Sequence, residues 1–291
     1  MPKFFFAVIL NLMLASITCL GQEGIERINT LDSLFLKKEY KQIIDICNQP
    51  DNSSSSACSY NLIGAHYFSG DSLEAWNLLD KEIAKHKAYP DADAYSLGNL
   101  LAEDYTGYWK FLRESTAKDY IFSLIDSLYG VETVLKKRDG LELLHLLIED
   151  QWVRNTSSLY YKYKPERKFL LPSDMDSIQA IGAQDDHRAK VFNFYKSKKK
   201  IFSEMEVGRA YYSQMMLLFH ETDLKRREYY HELLLDAVKN GAFEMKDRAN
   251  FEAGTEYWTL GVDEFFKQRA ELEANYKKKY SLPDDYRIRL F

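Results

Sequence analysis

Proline and glycine are scarce in this chain, at 6 and 13 of 291 residues. So few turn-formers argue against a many-stranded sheet and favour long helices, and the expected class is all-α. Cysteine is scarcer still, with 3 residues, and the histidines are scattered, so the spacing offers no metal cluster. No phosphate loop, nucleophile elbow or dinucleotide fingerprint is present, and no cofactor is expected. The chain also lacks a cationic surplus: its net charge of −5 argues against a nucleic-acid partner. Beyond the N-terminus the longest purely apolar run is Met215 to Phe219. That is far short of the about 20 residues that span a bilayer.

What the sequence holds in quantity is apolar and aromatic side chains. They include 21 tyrosines, 17 phenylalanines and 4 tryptophans, and hydrophobic residues make up 46% of the chain. That content excludes a disordered polymer and suffices for a sizeable core. The first residues have the form of an export leader. Lys3 supplies the positive start, Phe4 to Leu14 an apolar stretch broken by Asn11, and Ala15 to Gly21 small residues for cleavage. Cleavage after Gly21 would leave Gln22 first and the net charge at −6, because only Lys3 among the charged residues is lost. A second reading attaches lipid at Cys19, although Ser16-Ile17-Thr18 is a poor lead-in for that modification. The mature protein is then periplasmic or extracellular. Cys47 and Cys58 would remain, either as a disulfide closing the polar loop from Asp51 to Ser56 or as two buried thiols on neighbouring helices.

Three segments follow: a leader over 1–21, paired short helices over 22–130, and a C-terminal helical domain over 131–291. In the first helical part Leu31, Leu34 and Phe35 mark one apolar face, and Tyr40, Ile43, Ile44 and Cys47 the next. Tyr60, Ile63-Gly64, Tyr67, Gly70-Asp71, Ala75 and Leu79 come after them, and Leu97-Gly98 follows Ile63-Gly64 by 34 residues. This resembles degenerate tetratricopeptide repeats, in which small residues let paired helices approach and stacked pairs bury a shared face. The resemblance implies a surface that binds a protein or peptide. Lys136-Lys137-Arg138 reads as a solvated connector, with Asp139 as the N-cap of a leucine-rich helix.

The second part carries the residues from which a site could be built. Asp150 and Arg154, four apart, share one helix face beside Gln151. Pro172-Ser173-Asp174 should start another helix, interrupted at Gly182. A helix predicted from Val207 to His220 is apolar nearly all round, so it should be buried, with Arg209, Ser213, Met216 and His220 on one narrow polar stripe. Thr222 or Asp223 caps the next helix, which buries Tyr230, Leu233, Leu234 and Ala237 and stops at Asn240-Gly241. Asp247-Arg248 follows, Glu244 standing four before Arg248 as its expected partner, and Gly254 is placed at the end of that turn. The lysine runs Lys196 to Lys200 and Lys277 to Lys279 read as solvated helix ends that complement the dipole.

The pattern Asp150-Gln151, Arg154, Val207-Gly208, His220, Asp247-Arg248 and Gly254 resembles that of an uncharacterised bacterial domain family. Its closing motif is eroded here, where Tyr257 and Thr259-Leu260-Gly261 replace the family's polar residues. The resemblance implies a fold and a residue set but brings no reaction. Two functions stay open. One is a non-catalytic exported module that binds a protein or peptide of the cell envelope. The other is a hydrolase-like enzyme or small-ligand binder, with His220 as base, Asp150 or Asp247 orienting it, and Gln151, Arg154, Arg209 or Arg248 binding an anion.

Overall fold

The computed structural model describes residues 30–52, 55–88, 94–103, 105–162 and 177–287. The leader, Cys19, Gln22 and Pro172-Ser173-Asp174 lie outside them. Among the described residues the secondary structure is helical throughout and contains no strand. Two compact units form. The first comprises the described residues up to 88, Glu103 and residues 105–121; the second comprises 94–102, Phe122–Lys162 and residues 177–287.

The first unit contains α1 (30–36), α2 (Tyr40–Cys47), α3 (Ser56–Phe68), α4 (Ser72–Lys87), α6 (Thr106–Glu114) and the start of α7 (Ala117–Gly130). Helix α3 is its centre, packed by α2, α4 and α6, and it buries Ala57, Cys58, Tyr60, Asn61, Ile63, Gly64 and Ala65. Gly64 earns its place by contact with another backbone: a Cβ there would lie 2.2 Å from the Gly107 carbonyl oxygen of α6. At the same crossing the Gly107 amide donates to the Asn61 side-chain oxygen at 2.9 Å, satisfying an otherwise unpaired first-turn N–H. Asp71 caps α4 by accepting from the Glu74 amide.

Cys47 and Cys58 are joined as a disulfide across a Cα separation of 5.1 Å, inside a cluster with Leu31, Phe35 and Ile43. The bond ties the end of α2 to the start of α3 over 11 residues. Chain entropy gives such a ring about 3 kcal/mol. Reduction, or the Cys47→Ala/Cys58→Ala variant, should therefore lower the unfolding free energy of this unit by that amount, read from urea titration. Unchanged unfolding in dithiothreitol would contradict this account.

The second unit begins with α5 (Ala94–Gly98) and a 3-10 turn (Asn99–Ala102) and takes in the end of α7. Its remaining helices are α8 (Lys137–Lys162), α9 (Ser177–Lys198), α10 (Glu204–Val207), α11 (Ala210–Phe219), α12 (Leu224–Lys239), α13 (Met245–Leu260) and α14 (Val262–Tyr280). Helix α8 is central, against α9, α10, α11 and the 3-10 turn, and so buries Leu143, Leu144, Leu146, Leu147 and Ile148 around much of its girth.

Several boundaries differ from the sequence expectation. Helix α8 starts at Lys137, so Asp139 sits inside the first turn and takes an ion pair from Lys198 at 2.7 Å instead of capping. Helix α9 runs through Gly182 without a break. The helix expected from Val207 to His220 is two helices, because Gly208 adopts φ +56°. A Cβ at Gly208 would also lie 2.7 Å from the Glu132 carboxylate. Gly254 lies within α13, packed against the Phe219 ring, and ends nothing.

Candidate functional site

Asp150 on α8 is 4% exposed and collects polar groups from three helices. Its Oδ2 accepts from His220 Nδ1 at 2.6 Å, Arg154 Nε at 2.9 Å and Gln151 Nε2 at 3.3 Å. Arg154 and Gln151 reach it by helical spacing, whereas His220 arrives from the C-cap of α11. The other oxygen, Oδ1, faces His187 Nε2 of α9 at 3.8 Å. His187 is 3% exposed, and its Nδ1 stands 3.8 Å from Glu149, which also pairs with Lys190. The result is a chain of groups running Glu149, His187, Asp150 and His220, closed by Arg154.

The electrostatics follow from this packing. Burial raises the Asp150 pKa, but the hydrogen bond and charge of His220, together with Arg154, outweigh it and leave the carboxyl below its ordinary value. Glu149 is held down at about 2, His187 contributing most, burial opposing and Lys190 adding. Asp150 is therefore ionised at neutral pH, and His220 Nδ1–H donates to it. That orientation could serve a general base. Yet His220 makes no other side-chain hydrogen bond among the described residues, and no hydroxyl or thiol meets it there.

The remaining expected site residues lie elsewhere. Asp247 closes the capping box of α13, its carboxylate accepting from the Glu244 amide at 3.0 Å, so it does not orient His220. Arg248 pairs with Glu252 at 3.3 Å and covers the Tyr280 ring; its partner is four residues after it, not the expected Glu244. As N-cap, Glu244 turns its side chain to the α13 amide. Arg209 is exposed at the N-cap of α11. Among the described residues no group of three or more His, Cys, Asp or Glu side chains is placed to hold a metal.

Sequence reasoning missed several polar residues that the fold buries, and three of them in the second unit join its helices. His187 is one, although it stands four before buried Val191 on α9. Gln214 is another: it bonds both the amide and the carbonyl of Phe202, each at 2.9 Å. The third is Arg227, which shares a helical stripe with Tyr230, Leu234 and Ala237.

A second cluster surrounds Glu252, which meets His231 at 2.5 Å, Lys279 at 2.7 Å and Arg248. Burial works against its ionisation, but hydrogen bonds from His231 and Lys279 hold its pKa down at about 2, from 4.5. A depressed carboxyl contributes stability that is present above its unfolded pKa and lost as pH falls through the folded one. The window therefore runs from about 4.5 down to about 2 and represents roughly 3 kcal/mol at most. Glu252→Gln should destabilise the protein at pH 6 and scarcely at all at pH 2, read from urea midpoints. An equal loss at both would refute the linkage.

One open groove, of about 710 Å³, lies along α8 and α9. Leu141, Leu146 and Phe194 form its apolar part, and His145, Glu149 and Lys190 its polar part. No protein-family model, curated protein or solved structure matches this chain.

Proposed function

We propose that this is an exported, non-catalytic binding protein whose partner is a protein or peptide segment of the cell envelope, taken up in the α8–α9 groove. The observation that carries the reading is the groove itself. It is about 710 Å³, open, built on two long helices, and sets apolar side chains beside both signs of charge. Export is supported by the leader-like start and by the Cys47–Cys58 bond, which persists in oxidising compartments. The Asp150 cluster supports a rigid wall for that groove, because Glu149 belongs to both.

The test is selection of displayed random peptides against the chain from Gln22, repeated with Leu141→Arg and Lys190→Glu. Enriched peptides should lose at least tenfold in affinity for either variant. Failure to enrich any peptide, or equal binding by all three proteins, would overturn the reading. A hydrolase-like enzyme is the second reading, favoured by the 2.6 Å Asp150–His220 pair. It requires turnover of ester or peptide substrates that disappears in His220→Gln.

A further inference from the structure

The face where the α7–α8 connection meets α10 combines exposed aliphatic side chains with cations of which the fold engages two, Lys137 on the Gly130 carbonyl at the end of α7 and Lys200 on Glu206. Val131, Leu135 and Met205 are 81, 71 and 76% exposed. Leu135 and Met205 share one surface, because the Leu135 amide donates to the Met205 carbonyl at 3.4 Å and the Lys136 amide to that of Glu206 at 2.6 Å; Val131 stands four residues before Leu135 on the same connection. The crossing backbones hold these aliphatic side chains outward; they are not strays on an untethered loop.

The second feature is charge of the wrong sign for its place. Lys136, Lys137 and Arg138 stand at the N-terminal end of α8, where the helix dipole disfavours cations. All three are exposed, as are Lys199 and Lys200 in the segment leading to α10. Lys200 meets Glu206 at 2.6 Å, which places that segment beside Lys136. Lys136, Arg138 and Lys199 form no ion pair among the described residues. Counting Lys198, six cations here face the five carboxylates of Glu132, Asp139, Glu142, Glu204 and Glu206, on a chain whose net charge is −5.

We infer that this face docks on an anionic lipid bilayer. The cations meet the headgroups, and Val131, Leu135 and Met205 enter the interfacial layer. A soluble polyanion would satisfy the lysines but offer the aliphatic side chains nothing, so the two features together select a bilayer. Docking of this kind shares Arg138 with the rim of the α8–α9 groove but places Lys136, Lys199, Leu135 and Met205 outside it, and it stands whether or not that groove binds a peptide.

The test is flotation of the chain from Gln22 with vesicles of mixed phosphatidylglycerol and phosphatidylcholine, against phosphatidylcholine alone. Binding should require the anionic lipid and weaken as salt rises. Lys136→Ala and Lys199→Ala, both outside the groove lining, should each lower the partition coefficient about fivefold. Leu135→Ser/Met205→Ser should lower it at least tenfold while the melting temperature holds, since both side chains are exposed. Absence of binding to anionic vesicles, or equal flotation of every variant, would overturn the proposal. So would a dimer in sedimentation velocity that Leu135→Ser/Met205→Ser dissolves, which would make the face a contact between two copies.

Discussion

Replacing Arg227 with methionine is expected to destabilise the second unit by about 4 kcal/mol, enough to unfold much of a domain of ordinary stability. The side chain is 1% exposed and donates to the Phe219, Glu221 and Phe251 carbonyls and the Thr255 hydroxyl, at 2.8–3.2 Å. It also lies over the Phe251 ring at 4.3 Å. One guanidinium thus ties the end of α11 to α12 and α13. Burial pushes its pKa down to about 10, Glu221 pulling the other way, so it remains a cation at neutral pH. Methionine would fill much of the volume but remove the donor to the Phe219 and Glu221 carbonyls, each a desolvation loss of about 1–3 kcal/mol, while the Phe251 carbonyl keeps the Thr255 hydroxyl. Arg227→Lys should fall between the two, because a single ammonium cannot reproduce the planar fork. The adjacent Arg226, partly exposed over the Phe192 ring and 3.6 Å from the buried Glu221 carboxylate, is the comparison: Arg226→Met should cost about 1–2 kcal/mol, well short of Arg227→Met. Urea unfolding of the three variants decides the matter. Equal, small effects at 226 and 227 would show that the clamp contributes little.

Gly64→Ala is expected to cost the first unit about 3 kcal/mol or more, near the upper end for overpacking. The new Cβ would lie 2.2, 2.3 and 2.6 Å from the oxygen, carbon and Cα of Gly107. Those are backbone atoms and cannot rotate aside, so α3 and α6 must separate, weakening the Asn61 bond to the Gly107 amide. Gly107→Ala approaches the same crossing differently. Its Cβ would meet the Asn61 Oδ1 at 2.9 Å and the Phe35 ring at 3.0 Å, which are side chains able to shift. It should cost about half as much. In calorimetry the two variants should lower the melting temperature by roughly 10 °C and 5 °C respectively. The reverse order would mean that the helices are not in backbone contact at Gly64.

Much of the local structure was legible because it depends on neighbours in the chain. Asp223 caps α12, and that helix stops at Asn240-Gly241, where Gly241 takes φ +69°. Asp150 and Arg154 pair because helical spacing puts them together. The same rule misled at Arg248, where i−4 and i+4 carboxylates both exist and capping geometry turned Glu244 away. It was silent on His187, which meets Glu149 and Asp150 only because α9 lies along α8.

The sequence by itself determined the all-helical class, through apolar periodicity and the scarcity of turn-formers, and the caps that delimit individual helices. Only the tertiary structure decided which polar side chains meet. Asp150 and His220 stand 70 residues apart, and Arg227 outranks Arg226 because one is buried against three carbonyls and the other is partly exposed beside a single carboxylate. Periodicity assigns a residue to a face of its own helix. What stands opposite that face depends on how the helices cross, and this follows from contacts such as Gly64 on Gly107, which local spacing does not encode.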